Sequence, residues 1–224
     1  MDRDRLLHVY DATDALLRTV DGLTAEQLAG PSLLPEWTRA HVVAHLALNA
    51  LGFERAIEGA VHARPTPVYD SSEQRDADIG AAAAMTADQL REFTFDACGR
   101  WREATEDLTD LTPTFERVPG GPVLSVADAI GARWREVEIH HGDLDAGHGP
   151  ADWTPEFTAY VFDGIVRFRT EQVDLTLETP EGPVPLGAGG PVITGTRHDL
   201  AWWMLGRGGG VGLTGDLPTL GPWR

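Results

Sequence analysis

The sequence predicts an α+β protein in which an N-terminal four-helix bundle is followed by a small α+β domain. Two observations predict it: four stretches in the first two-thirds repeat apolar residues at helical spacing, and after about residue 170 the pattern changes to strand-like alternation. The change of character places a boundary near residue 150. The expected domains are therefore 1–150, the helical bundle, and 151–224, the α+β unit.

From Asp2 to Leu23, Leu6, Val9, Leu16, Leu17 and Val20 recur with approximately helical spacing, and Thr24-Ala25-Glu26-Gln27 has the form of a capping box opening a short further helix. Pro31 and Pro35 end that segment. After Trp37-Thr38, the series Val42, Leu46, Asn49, Phe53, Ile57 steps by four, three, four and four, which predicts a helix to about Gly59 with His45 on the edge of its apolar face. Residues 60–85 read as a long connection with a turn of helix at its end. Thr86 caps a third long helix with the stripe Leu90, Phe93, Ala97, Trp101, Ala104 and Leu108, running to about Leu111. Thr112–Val123 breaks the chain, and Ser125 caps a fourth helix with Val126, Ile130, Trp134 and Val137 on its core face. Four amphipathic helices make a bundle the economical arrangement.

In the last third, Thr154-Pro155-Glu156 sets an N-cap with proline at the first helical position, for a helix to about Thr170. Val173, Leu175 and Leu177 then alternate with polar residues as a half-buried strand. Val184–Leu186, Val192–Thr194 and Val211–Leu213 are shorter strand candidates, and Arg197–Gly206 reads as a helix ending at glycine.

Charge narrows the function. With 35 acidic and 18 basic residues the formal net charge is −17, a field that repels phosphate backbones and anionic lipid, so nucleic-acid and membrane partners are not expected. All the basic residues are arginine, which excludes a Schiff-base or phosphate-loop lysine. Cys98 is the one cysteine, so no intrachain disulfide and no cysteine zinc cluster can form, and its place mid-helix marks it as a core residue. The N-terminus has no signal-peptide pattern, and a cytoplasmic monomer is expected.

Any metal must then rest on histidine and carboxylate. Two helical patches concentrate them, Trp37–Ala50 and Arg133–Leu144. Glu136 and His140 are four apart and share a helix face; His45 from a facing helix completes a His, Glu, His set, the donor set of a catalytic zinc site with an open fourth position. Spacing leaves other readings open. His41 and His45 are themselves four apart, His141 falls on the Trp134, Val137 stripe, and each histidine could equally be a hydrogen-bonded residue at the edge of the core.

The first patch, Trp37-Thr38…Val42…His45-Leu46…Asn49-Ala50, and the second, Arg135-Glu136-Val137…His140-His141…Asp143-Leu144, resemble the metal-binding segments of the mycothiol-dependent maleylpyruvate isomerase family, a branch of the DinB-like four-helix-bundle thiol transferases. The stretch Thr194-Gly195…Leu200-Ala201-Trp202-Trp203-Met204-Leu205-Gly206-Arg207 with Pro222-Trp223 is similar to that family's second domain, a small unit likened to sterol carrier proteins. The resemblance implies that His45, Glu136 and His140 hold zinc, that His41 is a neighbour, and that Arg207 faces the metal pocket and grips a substrate carboxylate; a cation offsetting a helix dipole is the other reading of Arg207. It further implies that mycothiol, as cosubstrate, supplies a thiolate that adds to the double bond of maleylpyruvate and leaves after rotation to give fumarylpyruvate. Mycothiol S-transfer to another electrophile would use the same residues, and a non-enzymatic metal- or partner-binding protein is the alternative of another class.

Overall fold

The structure, a computed structural model, describes residues 2–223, and the chain divides into two compact units, Met1–Ala146 and Gly147–Arg224.

The first unit is a bundle of four long helices: α1 (Asp2–Gly22), α3 (Arg39–Val61), α5 (Ala87–Glu106) and α6 (Val126–Asp143), with a short α2 (Ala25–Ala29) after the first. Helix α3 is its axis. It packs on α5, α6 and a further helix, α4 (Ser72–Ala83), and 15 of its 23 residues are buried, as expected of a helix enclosed by neighbours rather than lying on a surface. Thr24, Thr38, Thr86 and Ser125 each accept a hydrogen bond from the backbone N–H three residues on, so the N-terminal donors of α2, α3, α5 and α6 are met where the sequence placed its caps. Val126, Ile130, Trp134 and Val137 are all buried on α6.

Several expectations for this unit need correction. The connection at 60–85 contains the twelve-residue α4, capped by the Ser71 hydroxyl; its acidic, alanine-rich sequence buries only Ile79 and Ala82, too little for a visible apolar stripe. Helix α5 stops at Glu106, and its buried side includes Thr94, Cys98 and Thr105, turned slightly from the predicted Phe93, Ala104, Leu108 line. The polar hydroxyls Thr94 Oγ1 and Thr105 Oγ1 are buried because each donates to a carbonyl one turn earlier, Leu90 at 2.7 Å and Trp101 at 2.8 Å. The break at 112–123 holds an antiparallel hairpin, β1 (Thr114–Glu116) with β2 (Val123–Ser125), whose Phe115 packs edge-on against Phe53 with ring centroids 6.4 Å apart.

The segment between α3 and α4 is fixed at both sides. Its Val68 and Tyr69 N–H groups donate to the carbonyls of Glu116 and Arg117 at 3.1 and 3.0 Å, and on the other side it presses against α3 at Gly52. A Cβ at position 52 would lie 2.8 Å from the Val68 carbonyl oxygen, so only glycine admits this approach.

In the second unit α7 (Pro155–Arg169) packs with α8 (Arg197–Met204) beside a three-stranded sheet, order β4 (Gly182–Leu186), β3 (Leu175–Thr179), β5 (Val192–Thr194). β3 is antiparallel to β4 and parallel to β5. Leu175, Leu177 and Thr179 point into the core, and Pro183 and Pro185 stand on the edge strand β4, where missing N–H donors do no harm. The buried Arg169 donates through Nε and Nη2 to the Met204 carbonyl, satisfying the C-terminal end of α8. The predicted strand Val211–Leu213 does not form. Gly208, Gly209, Gly210 and Gly212 all take positive φ, which coils the segment, and only Thr214 reaches the sheet, bridging Thr194.

Gly52→Ala is expected to lower the unfolding free energy of the first unit by about 1–3 kcal/mol, through forced displacement of the Val68 segment. Denaturant titration checks it, with a lower midpoint at unchanged slope; an unchanged midpoint would contradict the close-approach argument.

Candidate metal centre

His45 projects from the second turn of α3, and Glu136 and His140 from one face of α6, four residues apart. Glu136 Oε2 lies 2.9 Å from His45 Nε2 and 3.3 Å from His140 Nε2, so two imidazoles from two helices close on one carboxylate oxygen. The two rings are edge to face with centroids 4.8 Å apart, and the three potential ligand atoms all lie within 4.8 Å of one another. Among the described residues this is the group of His, Cys, Asp and Glu side chains with metal-binding convergence. His45 is buried, at 4% exposure, rather than on the edge of its helix face; Glu136 and His140 are half-buried and reach solvent on one side.

Burial alone would push the Glu136 carboxyl up, but hydrogen bonds from His140 and His45 outweigh it and hold the group well below the usual carboxylate range. Burial likewise opposes the charge on His140, yet Asp143 and Glu136 together raise it to about 8. At His45 burial wins over the Glu136 hydrogen bond, and its pKa is lowered. The centre is thus an anion between two imidazoles, only one of which holds its proton readily.

Asp143 is the residue that spacing gave no role. It is fully buried at the end of α6, and its Oδ2 accepts from His140 Nδ1 at 2.8 Å. That bond fixes the tautomer of His140 and leaves Nε2, the atom facing Glu136, free to ligate once deprotonated. The signal available in the sequence was a carboxylate three residues after a candidate ligand on the same helix. Trp37 adds a wall, its ring lying edge-on to His45 at 5.7 Å.

The other histidines have separate work. His41 Nδ1 accepts from the Thr38 N–H at 3.3 Å and lies 2.7 Å from Thr38 Oγ1, completing the α3 capping box. His141 points to α1, where its Nε2 meets Thr19 Oγ1 at 2.8 Å. Cys98 is buried on α5, and burial pushes its thiol up; Arg133 Nη2 donates to its sulfur at 3.5 Å. In the second unit Arg207 follows Gly206, whose φ of +83° turns the chain out of α8; its Nη1 donates to the Leu205 carbonyl at 2.8 Å and its guanidinium stands 6.0 Å over the Trp202 ring.

The three donors fit a divalent ion. Tetrahedral nitrogen and oxygen ligands about 2.0–2.2 Å from zinc stand roughly 3.3 Å apart, so separations of 2.9 and 3.3 Å around Glu136 need only small adjustment, and the solvent-facing side leaves room for an exogenous ligand. A positive ion would also replace the protons that now bridge the carboxylate to its two imidazoles.

Replacing Asp143 by Asn keeps the shape and removes the charge behind His140. Asp143→Asn is expected to weaken zinc binding by roughly ten- to a hundredfold, measured by competition with a chromogenic chelator. Wild-type affinity would show that Asp143 does not orient the ligand.

Comparison with known proteins adds the lineage. Residues 9–145, more than half of the chain and nearly all of the first unit, match the family model described as "Mycothiol maleylpyruvate isomerase N-terminal domain". No curated protein matches the chain. Two solved structures superpose on all of it, covering 97% of their own length with TM-scores of 0.91: the mycothiol-dependent maleylpyruvate isomerase, 24% identical, and a histidine-to-alanine mutant of it, 23% identical. At that identity the likeness is one of fold.

Proposed function

This chain belongs to the mycothiol maleylpyruvate isomerase N-terminal domain family, and on that premise we propose that it is a zinc- and mycothiol-dependent cis-trans isomerase that converts maleylpyruvate to fumarylpyruvate. The observation that carries the reading is the convergence of His45, Glu136 and His140 on one point with a side open to solvent. His45 and His140 would hold the ion through Nε2 and Glu136 through Oε2, with Asp143 orienting His140. When bound, zinc supplies positive charge that favours the thiolate form of an incoming thiol over its neutral form.

The chain's own residues do the rest. The buried Cys98, with its thiol pushed up, is not poised as a nucleophile, so the sulfur is brought in by the cosubstrate. The thiolate adds to one carbon of the cis double bond, the π electrons move onto the conjugated carbonyl oxygen, and the resulting single bond rotates. Expulsion of the same thiolate restores the double bond in the trans form. No electrons are gained or lost overall, so no redox cofactor is needed. Arg207 is proposed to bind a substrate carboxylate, guanidinium being suited to a two-pronged grip.

His45→Ala, Glu136→Ala and His140→Ala are each expected to lose most bound zinc and all isomerase activity while far-UV circular dichroism stays near wild type; His41→Ala is expected to keep the metal. Zinc retained in His45→Ala and lost in His41→Ala would reject the ligand assignment. Assay of zinc-loaded protein with maleylpyruvate and mycothiol tests the reaction, and conjugates formed with other electrophiles in the absence of isomerisation would replace it with S-transfer. Arg207→Ala is expected to lower kcat/KM at least tenfold with zinc retained, and an unchanged value would discard that role.

A further inference from the structure

The cluster has a second rung beneath it. Asn49 lies one turn after His45 on α3 and Arg133 three residues before Glu136 on α6, so the same two helices bring Arg133 Nη1 to Asn49 Oδ1 at 2.7 Å. Arg133 is wholly buried and also donates to the Leu46 carbonyl at 2.8 Å. Because the guanidinium can only donate, the Asn49 oxygen must face it, and the Asn49 amide nitrogen must face the other way. That nitrogen donates to the Tyr69 hydroxyl at 3.0 Å. Tyr69 is therefore an acceptor toward Asn49, and its own O–H proton meets no acceptor among the described residues.

Tyr69 is held in place by the hairpin contacts of its segment and by the close approach at Gly52. Over its ring, 5.7 Å from the centroid, stands the Arg75 guanidinium, carried by α4. Among the described residues Arg75 Nε is buried with no hydrogen-bond partner, and the guanidinium makes a long ion-pair contact of 3.7 Å to the exposed Asp76. Both residues line a cavity of about 150 Å³ with Leu48 and Gly52, room for a carboxylate and a few carbons. Of the acidic groups there, Asp70 is exposed and Asp78 accepts from Gln74 Nε2 at 2.8 Å. Burial, with the Glu136 carboxylate adding to it, raises the Tyr69 pKa. Tyr69 thus stays a neutral donor at working pH.

We propose that the Tyr69 hydroxyl and the Arg75 guanidinium form an anion-binding pair beside the His45, Glu136, His140 cluster, which takes a carboxylate of the small-molecule substrate. A fixed O–H and an uncommitted guanidinium face are the donors such a group needs, and in a chain of net charge −17 a local cation is required to admit an anion at all. The assignment rests on the reading of the cluster as the centre that acts on a carboxylate-bearing electrophile.

The test is calorimetric titration of zinc-loaded, thiol-free protein with maleate, a four-carbon cis-dicarboxylate. Wild type is expected to bind it, and Tyr69→Phe and Arg75→Gln each to weaken binding by roughly ten- to a hundredfold, the usual range for losing a hydrogen bond to a charged group. Zinc content and mycothiol affinity are expected to stay at wild-type level, with Arg75→Lys recovering part of the loss. Maleate binding absent from wild type, unchanged in both variants or weakened in only one overturns the pair, as does loss of zinc from either variant, which would make these residues supports of the cluster. Should Tyr69→Phe fail to fold, Arg75→Gln on the half-exposed α4 decides the matter. Turnover is read separately: maleate binding that depends on both residues without maleylpyruvate isomerisation rejects the isomerase and keeps the pair, whereas turnover with unaltered variants does the reverse.

Discussion

The contact on which the candidate metal centre depends is the meeting of His45 and Glu136 across α3 and α6, 2.9 Å apart. It brings a carboxylate and two imidazoles to one point in a largely apolar bundle, an arrangement costly to assemble unless each charge is answered. Here each is. Glu136 is shared by two imidazoles, His140 is backed by Asp143, and the Arg133 guanidinium one rung below donates through Nη1 to the Leu46 carbonyl and the Asn49 oxygen, its buried Nε alone meeting no partner among the described residues. Two rungs between the same helices fix their register, so the donor geometry is set by the packing of α3 rather than by a flexible loop.

Much of this was legible in the sequence, and the reasons are specific. Helices α3 and α6 announce themselves through threonine and serine caps and through apolar steps of three and four, and Glu136 with His140 follows from those steps alone. Spacing could not choose among His41, His45 and His141. What separates them is local: His41 is drawn into the Thr38 cap, and His141, one residue past His140, is turned by 100° of helix toward Thr19. The depth of His45 is not legible in periodicity on one helix, because it comes from the neighbours that surround α3. A helix that buries two residues, as α4 does, leaves little apolar pattern in the sequence, and Arg75 lies on that helix. The strand expected at 211–213 failed because hydrophobic residues between glycines of positive φ cannot extend.

A family premise and a converging donor set reinforce one another without being the same observation. The first comes from residues 9–145 as a whole, the second from three side chains whose distances any unrelated bundle could lack. Cys98 is consistent with the proposed reaction: buried and hydrogen-bonded by Arg133, it is not placed to supply the sulfur that the reaction would need. With 35 acidic residues the chain's field disfavours the acidic substrate proposed for it, so that proposal requires a local cation such as Arg75.

X-ray absorption at the zinc edge of the purified, zinc-loaded protein, recorded before and after addition of mycothiol, tests the central claim most directly. The account predicts one zinc per chain with only nitrogen and oxygen neighbours at first, two of them imidazole, and one sulfur neighbour at about 2.3 Å after the thiol is added. A sulfur neighbour already present without thiol, or a shell unchanged by it, would contradict the account.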